Sequence, residues 1–220
     1  MALDLYWGSG SPYAWRVMLA LEYKGLAYSS YELQFAKLEH KSAAMLRMNP
    51  RGRVPVLKDG DYVCFESLAI LLYLDEKYPE PPIFGKTPEE AGTIMRVVCE
   101  YQAYVEHHLT TVISAIFLQT LESQMEEVNK ALTSIAKEAR TIEKRLASAE
   151  WVVGDAFSAA DIVIFPGIQL LLRALNRPEA ADVRARLFPL ETHYPGILAW
   201  IKRIEAISGY QRTYPPHWRE

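Results

Sequence analysis

Val54-Pro55-Val56-Leu57-Lys58-Asp59-Gly60-Asp61-Tyr62-Val63-Cys64-Phe65-Glu66-Ser67 is the stretch on which the fold turns. Two short runs, Val54 to Lys58 and Tyr62 to Phe65, flank Asp59-Gly60, a dipeptide whose tolerance of left-handed backbone suits a tight hairpin. Pro55 stands at the opening of the first run, where proline gives no donor to a ladder and is confined to edges, strand starts or special conformations. Ser67 precedes Leu68-Ala69-Ile70-Leu71-Leu72-Tyr73-Leu74 and is placed to cap a helix that stops at Tyr78-Pro79. Residues 54–78 thus read as an antiparallel strand pair followed by a helix.

Upstream, Asn49-Pro50-Arg51-Gly52 is a turn signal preceded by a short helix around Ser42 to Met48. Residues 2–7 form an apolar run ended by Gly8-Ser9-Gly10, and Pro12 to Lys24 carries Trp15, Met18, Leu19 and Tyr23 at helical spacing. Tyr28 to Leu33 alternates like a half-buried strand, and a strand-helix-strand unit with a helix-length crossover pairs its strands in parallel. The sum is βαβ, a helix, then ββα.

Downstream, Pro79, Pro81 and Pro82 form a stiff linker, after which only helical periodicity is found. Thr87-Pro88-Glu89-Glu90 opens a long helix with a cap, a first-position proline and first-turn acids, extending to about Gln119. Ser158-Ala159-Ala160-Asp161 resembles a capping box, with Phe157 and Ile162 as its hydrophobic staple, and reads as a folding signal. The expected organisation is an α/β domain over residues 1–79, a linker over 80–87 and an all-helical domain over 88–220.

The 220 residues are 50% hydrophobic with a net charge of −3, and the charges are spread along the chain. No basic stripe is present to neutralise phosphates, so no nucleic-acid partner is expected. The N-terminus has no basic segment followed by an apolar run, and no stretch reaches the roughly 18 apolar residues of a spanning helix. A cytoplasmic protein without a membrane partner is the expectation. Cys64 and Cys99 have neither redox nor metal-ligand spacing and read as buried free thiols. His107 and His108 are adjacent and point about a hundred degrees apart on a helix, so no metal site is expected.

Chemistry is concentrated at three places. Pro12 at the first helical position makes Ser11 the cap of the first helix, and its hydroxyl, the nearby amides and the helix dipole converge on one spot. That spot favours an anion, and a thiol brought there has its pKa lowered as cysteines at helix N-termini do. A shift of roughly two units is worth about 2.7 kcal/mol. Taken alone, Ser11 reads as a simple helix cap, and only its company makes it functional. If Val54-Pro55 is cis, Val54 turns its backbone out of the sheet to pair with a peptide-like ligand; an ordinary edge proline is the other reading. Glu66-Ser67 sets a carboxylate beside a second helix N-terminus, which suits the ammonium and carboxylate of an α-amino acid group.

Together, Ser11-Pro12 with Trp15-Arg16-Val17, Asn49-Pro50, Val54-Pro55-Val56-Leu57, Glu66-Ser67-Leu68-Ala69-Ile70 and the Phe157 to Ile162 box resemble the cytosolic glutathione transferases, in order along most of the chain. Within the serine-type classes, the first 80 residues are most similar to the tau and zeta groups. The resemblance implies a thioredoxin-like N-terminal domain, an all-helical C-terminal domain and a homodimer. It implies conjugation of glutathione, as substrate and without a prosthetic group, to a small hydrophobic electrophile. It matches Ser11 to the serine that hydrogen-bonds the sulfur, Val54 to the residue whose backbone pairs with the cysteinyl unit, and Glu66 with Ser67 to the γ-glutamyl site. Lys41 and Arg53 match basic positions near the glycyl carboxylate, with His40 assisting. Tyr13, Tyr104 and His108 are assigned to the acceptor pocket, because Tyr101, Tyr104, His108 and Thr111 are spaced to share one helical face. Zeta proteins follow the serine with another serine and a cysteine, whereas Pro12 and Tyr13 stand here, which sets isomerisation behind conjugation. Dehalogenation, peroxide reduction and a non-catalytic ligand-binding or scaffolding role are the remaining alternatives.

Overall fold

The computed structural model describes residues 3–219. Its elements begin with β1 (Leu3–Trp7), α1 (Pro12–Tyr23), β2 (Tyr28–Glu32), α2 (Ala43–Met48), β3 (Val56–Asp59), β4 (Tyr62–Phe65) and α3 (Ser67–Lys77). They continue with α4 (Pro88–Tyr101), α5 (His107–Phe117), α6 (Met125–Leu146), α7 (Ala159–Leu175), α8 (Ala181–Arg184), α9 (Leu190–His193), α10 (Pro195–Glu205) and α11 (Tyr210–Thr213). One compact unit comprises the residues up to Ile83 together with those from Ile207 onward; the other is Phe84–Ala206.

The first unit is a thioredoxin-like βαβ-α-ββα arrangement around a four-stranded sheet of order β2-β1-β3-β4. β1 pairs in parallel with β2, whereas β3 is antiparallel to β1 and also, as the turn chemistry of Asp59-Gly60 requires, to β4. Leu5 lies opposite both Ser30 and Leu57 and is fully buried, so the centre of the sheet is also the centre of the core. α1 begins at Pro12 with Ser11 as its cap, buries Ala14 through Leu21 and packs against α3 and α11.

Lys24 follows α1 and is buried, yet its ammonium is fully used. It donates to Asp75 Oδ1 at 2.6 Å, to the Tyr78 carbonyl at 2.8 Å and to the Pro81 carbonyl at 2.7 Å. Three donors meet three acceptors, which is what allows a lysine into this interior.

The residues from Ile207 onward, expected with the helical half, group instead with this first unit. The cause is Trp15 on α1. Its Nε1 donates to Thr213 Oγ1 at 2.8 Å, and its ring meets those of Tyr214 and Trp218 edge-on at 5.9 and 5.4 Å. Arg212 Nε adds a bond to Glu22 Oε2 at 2.9 Å. Such aromatic burial outweighs proximity in sequence.

The second unit is all-helical. Thr87 caps α4 in a capping box with Glu90, behind Pro88 at the first position. The helix runs on through a π-turn at Gln102–Glu106 into α5, ending at Phe117. Glu143 on α6 caps α10 from outside by accepting from the backbone N–H groups of Gly196 and Ile197 at 2.6 and 2.9 Å. Cys64 is buried as expected; Cys99 is exposed, on the outward side of α4 next to the exposed Met95. Among the described residues no single helix is long and apolar enough to cross a membrane.

Candidate functional site

Ser11 occupies the cap position with extended backbone, φ −73° and ψ 115°. Its Oγ accepts from the Ala14 N–H at 3.3 Å, and its own N–H donates to the Gly8 carbonyl at 3.1 Å, closing the turn that precedes α1. A capping hydroxyl is engaged through an oxygen lone pair, so its proton remains able to point at an anion.

The second station differs from expectation by one residue. The first hydrogen bond of α3 runs from Ile70 N–H to the Glu66 carbonyl at 3.0 Å, so Glu66 is the cap position and Ser67 the first helical residue. Neither makes the side-chain cap bond expected of Ser67. Glu66 sits at φ 71° and ψ 116°, a conformation that strains a residue with a Cβ and that clusters at functional sites. Ser67 is 6% exposed and accepts from the buried Arg16 Nη1 at 3.5 Å.

Val54-Pro55 is cis, and the ladder of β3 begins two residues later, at Val56. Val54 and Pro55 line a cleft of about 80 Å³ together with Arg53, Glu66 and Ser67, so most of the expected glutathione set converges there. Tyr13, expected on the acceptor side, also lines this cleft, with Arg16 stacked 4.7 Å from its ring centre.

Asn49 is the lining residue that sequence reasoning treated only as a turn signal. It is buried, its Nδ2 donates to the Arg53 carbonyl at 2.9 Å and its Oδ1 accepts from Arg51 N–H at 3.1 Å. The Asn-Pro turn therefore fixes the backbone that presents Arg53 and Val54. A second omission is Arg51, whose Nε lies 4.0 Å from Glu66 Oε1 with both side chains well exposed. An exposed pair at that distance is worth little, so a ligand ammonium can replace it.

The remaining assigned residues stand apart from the cleft. Lys41 folds over Gly52 and donates to the Arg51 carbonyl at 3.0 Å. His40 has its ring edge-on to Phe35 at 5.1 Å, with a buried Nδ1 that lacks a hydrogen-bond partner. Ser11 does not line the cleft, although Tyr13, two residues on, does. Ser9, the second hydroxyl of the turn, bonds to His217.

Tyr104 and His108 belong to the helical unit, and they do not share a face with Tyr101. The π-turn adds backbone between α4 and α5 and breaks the hundred-degree phase on which the single-face reading depended. Tyr101 is buried with its hydroxyl against Gly167, whereas Tyr104 is 59% exposed and His108 half-buried. Burial pushes the Cys64 thiol up, so this cysteine stays protonated and offers no thiolate of its own.

Residues 5–82 match the family description "Glutathione S-transferase, N-terminal domain", and residues 101–207 match "Glutathione S-transferase, C-terminal domain". Glutathione S-transferase A of Pleuronectes platessa is 31% identical over 224 residues, covering 99% of this chain and 93% of that protein. Glutathione S-transferase Z1 of Arabidopsis thaliana is 31% identical, covering 80% and 78%. Among solved structures, a glutathione S-transferase from the Antarctic clam Laternula elliptica superposes with a TM-score of 0.80 at 29% identity, covering 100% of this chain and 95% of that one.

Proposed function

The chain belongs to the glutathione S-transferase family, and from that premise we propose that its first unit binds glutathione and activates the thiol at Ser11. It is a glutathione transferase with glutathione as substrate. The observation that carries the assignment of roles is the cleft in which Arg53, the Val54 backbone, Glu66 and Ser67 converge beside a strained cap.

The groups that line the cleft complement a tripeptide with an α-amino acid group at one end and a carboxylate at the other. The γ-glutamyl ammonium meets Glu66 in place of Arg51, and its carboxylate meets Ser67 and the α3 amides. The cysteinyl unit pairs with the Val54 backbone. The glycyl carboxylate is met by Arg53 and Lys41, with His40 assisting. The Ser11 hydroxyl donates a hydrogen bond to the sulfur and keeps its proton, which favours the thiolate at a helix N-terminus. The thiolate then attacks an electrophilic carbon of a small apolar acceptor. A carbon–sulfur bond forms, the leaving group departs with its electron pair, and the thiol proton has already passed to solvent.

Acceptor selectivity is assigned to the helical unit through Tyr104 and His108, and the protein to a cytoplasmic homodimer that light scattering would register as twice the chain mass. The function is tested by retention on immobilised glutathione followed by conjugation of an activated aryl halide. Retention with turnover is expected; retention without turnover would favour the ligand-binding alternative.

A further inference from the structure

The turn that delivers Ser11 is gripped by two aromatic rings, and its two glycines make this possible. A Cβ at Gly8 would fall 2.2 Å from Phe35 Cζ, and one at Gly10, where φ is +81°, would fall 2.9 Å from His217 Cε1. Between them, Ser9 Oγ lies 2.5 Å from His217 Nδ1.

The other nitrogen of His217 determines the sense of that bond. Trp218 Nε1 lies 3.0 Å from His217 Nε2, and an indole N–H only donates. Nε2 is therefore the acceptor, the neutral ring carries its proton on Nδ1, and His217 donates to Ser9. Trp218 is buried against Trp15, and the Trp15 N–H in turn donates to the Ser11 carbonyl at 3.0 Å. The C-terminal tail thus holds the chain on both sides of Ser11, at Ser9 through a hydrogen bond and at Trp15 through ring packing.

We infer that His217 is a positioning residue for Ser11, fixing the Gly8-Ser9-Gly10 turn so that the Ser11 hydroxyl stays aimed at the sulfur. The inference rests on the role proposed for Ser11. A turn with two glycines has wide conformational freedom, and the imidazole hydrogen bond from the tail adds to the Ser11–Gly8 backbone bond in restricting it. Misaiming a group that contacts the reacting atom costs rate more than binding, because the tripeptide is held by the separate cleft around Glu66 and Ser67.

The test measures kcat and the KM for glutathione in His217→Ala, His217→Asn, Ser9→Ala, the His217→Ala/Ser9→Ala double variant and Ser11→Ala. His217→Ala is expected to lower kcat roughly tenfold with little change in KM. His217→Asn, whose amide N–H stands where Nδ1–H stood, is expected to recover most of the loss. Ser9→Ala is expected to match His217→Ala, and the double variant to be no worse than either. Nitrogen-15 spectra of the histidines are expected to show His217 as the Nδ1-protonated tautomer in the wild type. Equal losses in His217→Ala and His217→Asn, additive losses in the double variant, or an Nε2-protonated ring would each overturn the inference. An unchanged kcat in His217→Ala beside a depressed one in Ser11→Ala overturns it while leaving Ser11 in place. An unchanged kcat in Ser11→Ala removes the Ser11 role itself.

Discussion

Ser11 at the start of α1 and Ser158 at the start of α7 both hold the cap position of a helix, yet their surroundings differ in nearly every respect. Ser158 is 3% exposed and its partner Asp161 is completely buried. The Asp161 carboxylate accepts from the N–H groups of Val152 and Ser158, from Ser158 Oγ and from Trp200 Nε1, at 2.7 to 3.0 Å. Burial pushes that carboxyl up, against four hydrogen bonds that favour the anion. Nothing in that arrangement is open to a ligand. At the first unit's helix starts the balance is reversed. Ser11 is half-buried with its proton uncommitted to the cap, and Glu66 holds a 67% exposed carboxylate on strained backbone beside a cleft. A cap whose polar groups are all satisfied in the interior is a folding device, and one left partly open has groups to offer a ligand.

The largest effect that could break this contrast is on stability. Asp161→Ala leaves three N–H donors unpaired in the interior and is expected to cost roughly 4 kcal/mol, read from chemical denaturation. A loss below about 1 kcal/mol would mean that the box is no more than a surface cap. Next comes Ser11→Ala, expected to lower conjugation near neutral pH about a hundredfold and to shift its pH profile towards that of free thiol, while the variant still binds immobilised glutathione. A profile that does not move would place Ser11 with Ser158 as a structural cap.

Glu66→Gln and Ser67→Ala sharpen the comparison within the first unit. Each is expected to weaken glutathione binding about tenfold, measured by calorimetry, with thermal stability little changed in Glu66→Gln because Glu66 makes no side-chain cap bond. Equal loss of stability and affinity would show these residues to be a folding element like Asp161. Asp59 at the hairpin turn supplies the smallest effect. It is buried, and hydrogen bonds from Lys77 first and Tyr73 second hold its carboxyl below the usual range against the opposing pull of burial. A depressed carboxyl stabilises the fold above its ordinary pKa, and the contribution is lost as pH falls through the folded value. Denaturation midpoints below about pH 4 are therefore expected to fall less steeply in Lys77→Met than in the wild type. Parallel curves would remove Asp59 from the acid response.

Much of this was legible before any coordinates. Pro12, Thr87-Pro88 and Ser158 place three helix starts, and Asp59-Gly60 places the hairpin between β3 and β4. The one-residue difference at Ser67 arose because the helix start is set by backbone geometry at Glu66, and no composition rule announces a left-handed glutamate. Tyr101 and Tyr104 were read on one face because the spacing was taken through an unbroken helix, whereas a π-turn lies between α4 and α5. Asn49 and Arg51 were visible only as turn residues, since their partners Arg53 and Glu66 become neighbours through the folded backbone.

The sequence by itself determined the order of elements, their caps and turns, and the three places where candidate binding groups gather. All of these depend on interactions spanning a few residues, whose energies local residue types set. The tertiary structure alone decided which caps are sealed and which are open, and which unit the tail joins. Burial at any one position is set by chain arriving from elsewhere: Trp15 meets Thr213 across 198 residues, and Asp161 meets Trp200 across 39. Such contacts are made by packing rather than by propensity, and no short window of sequence carries them.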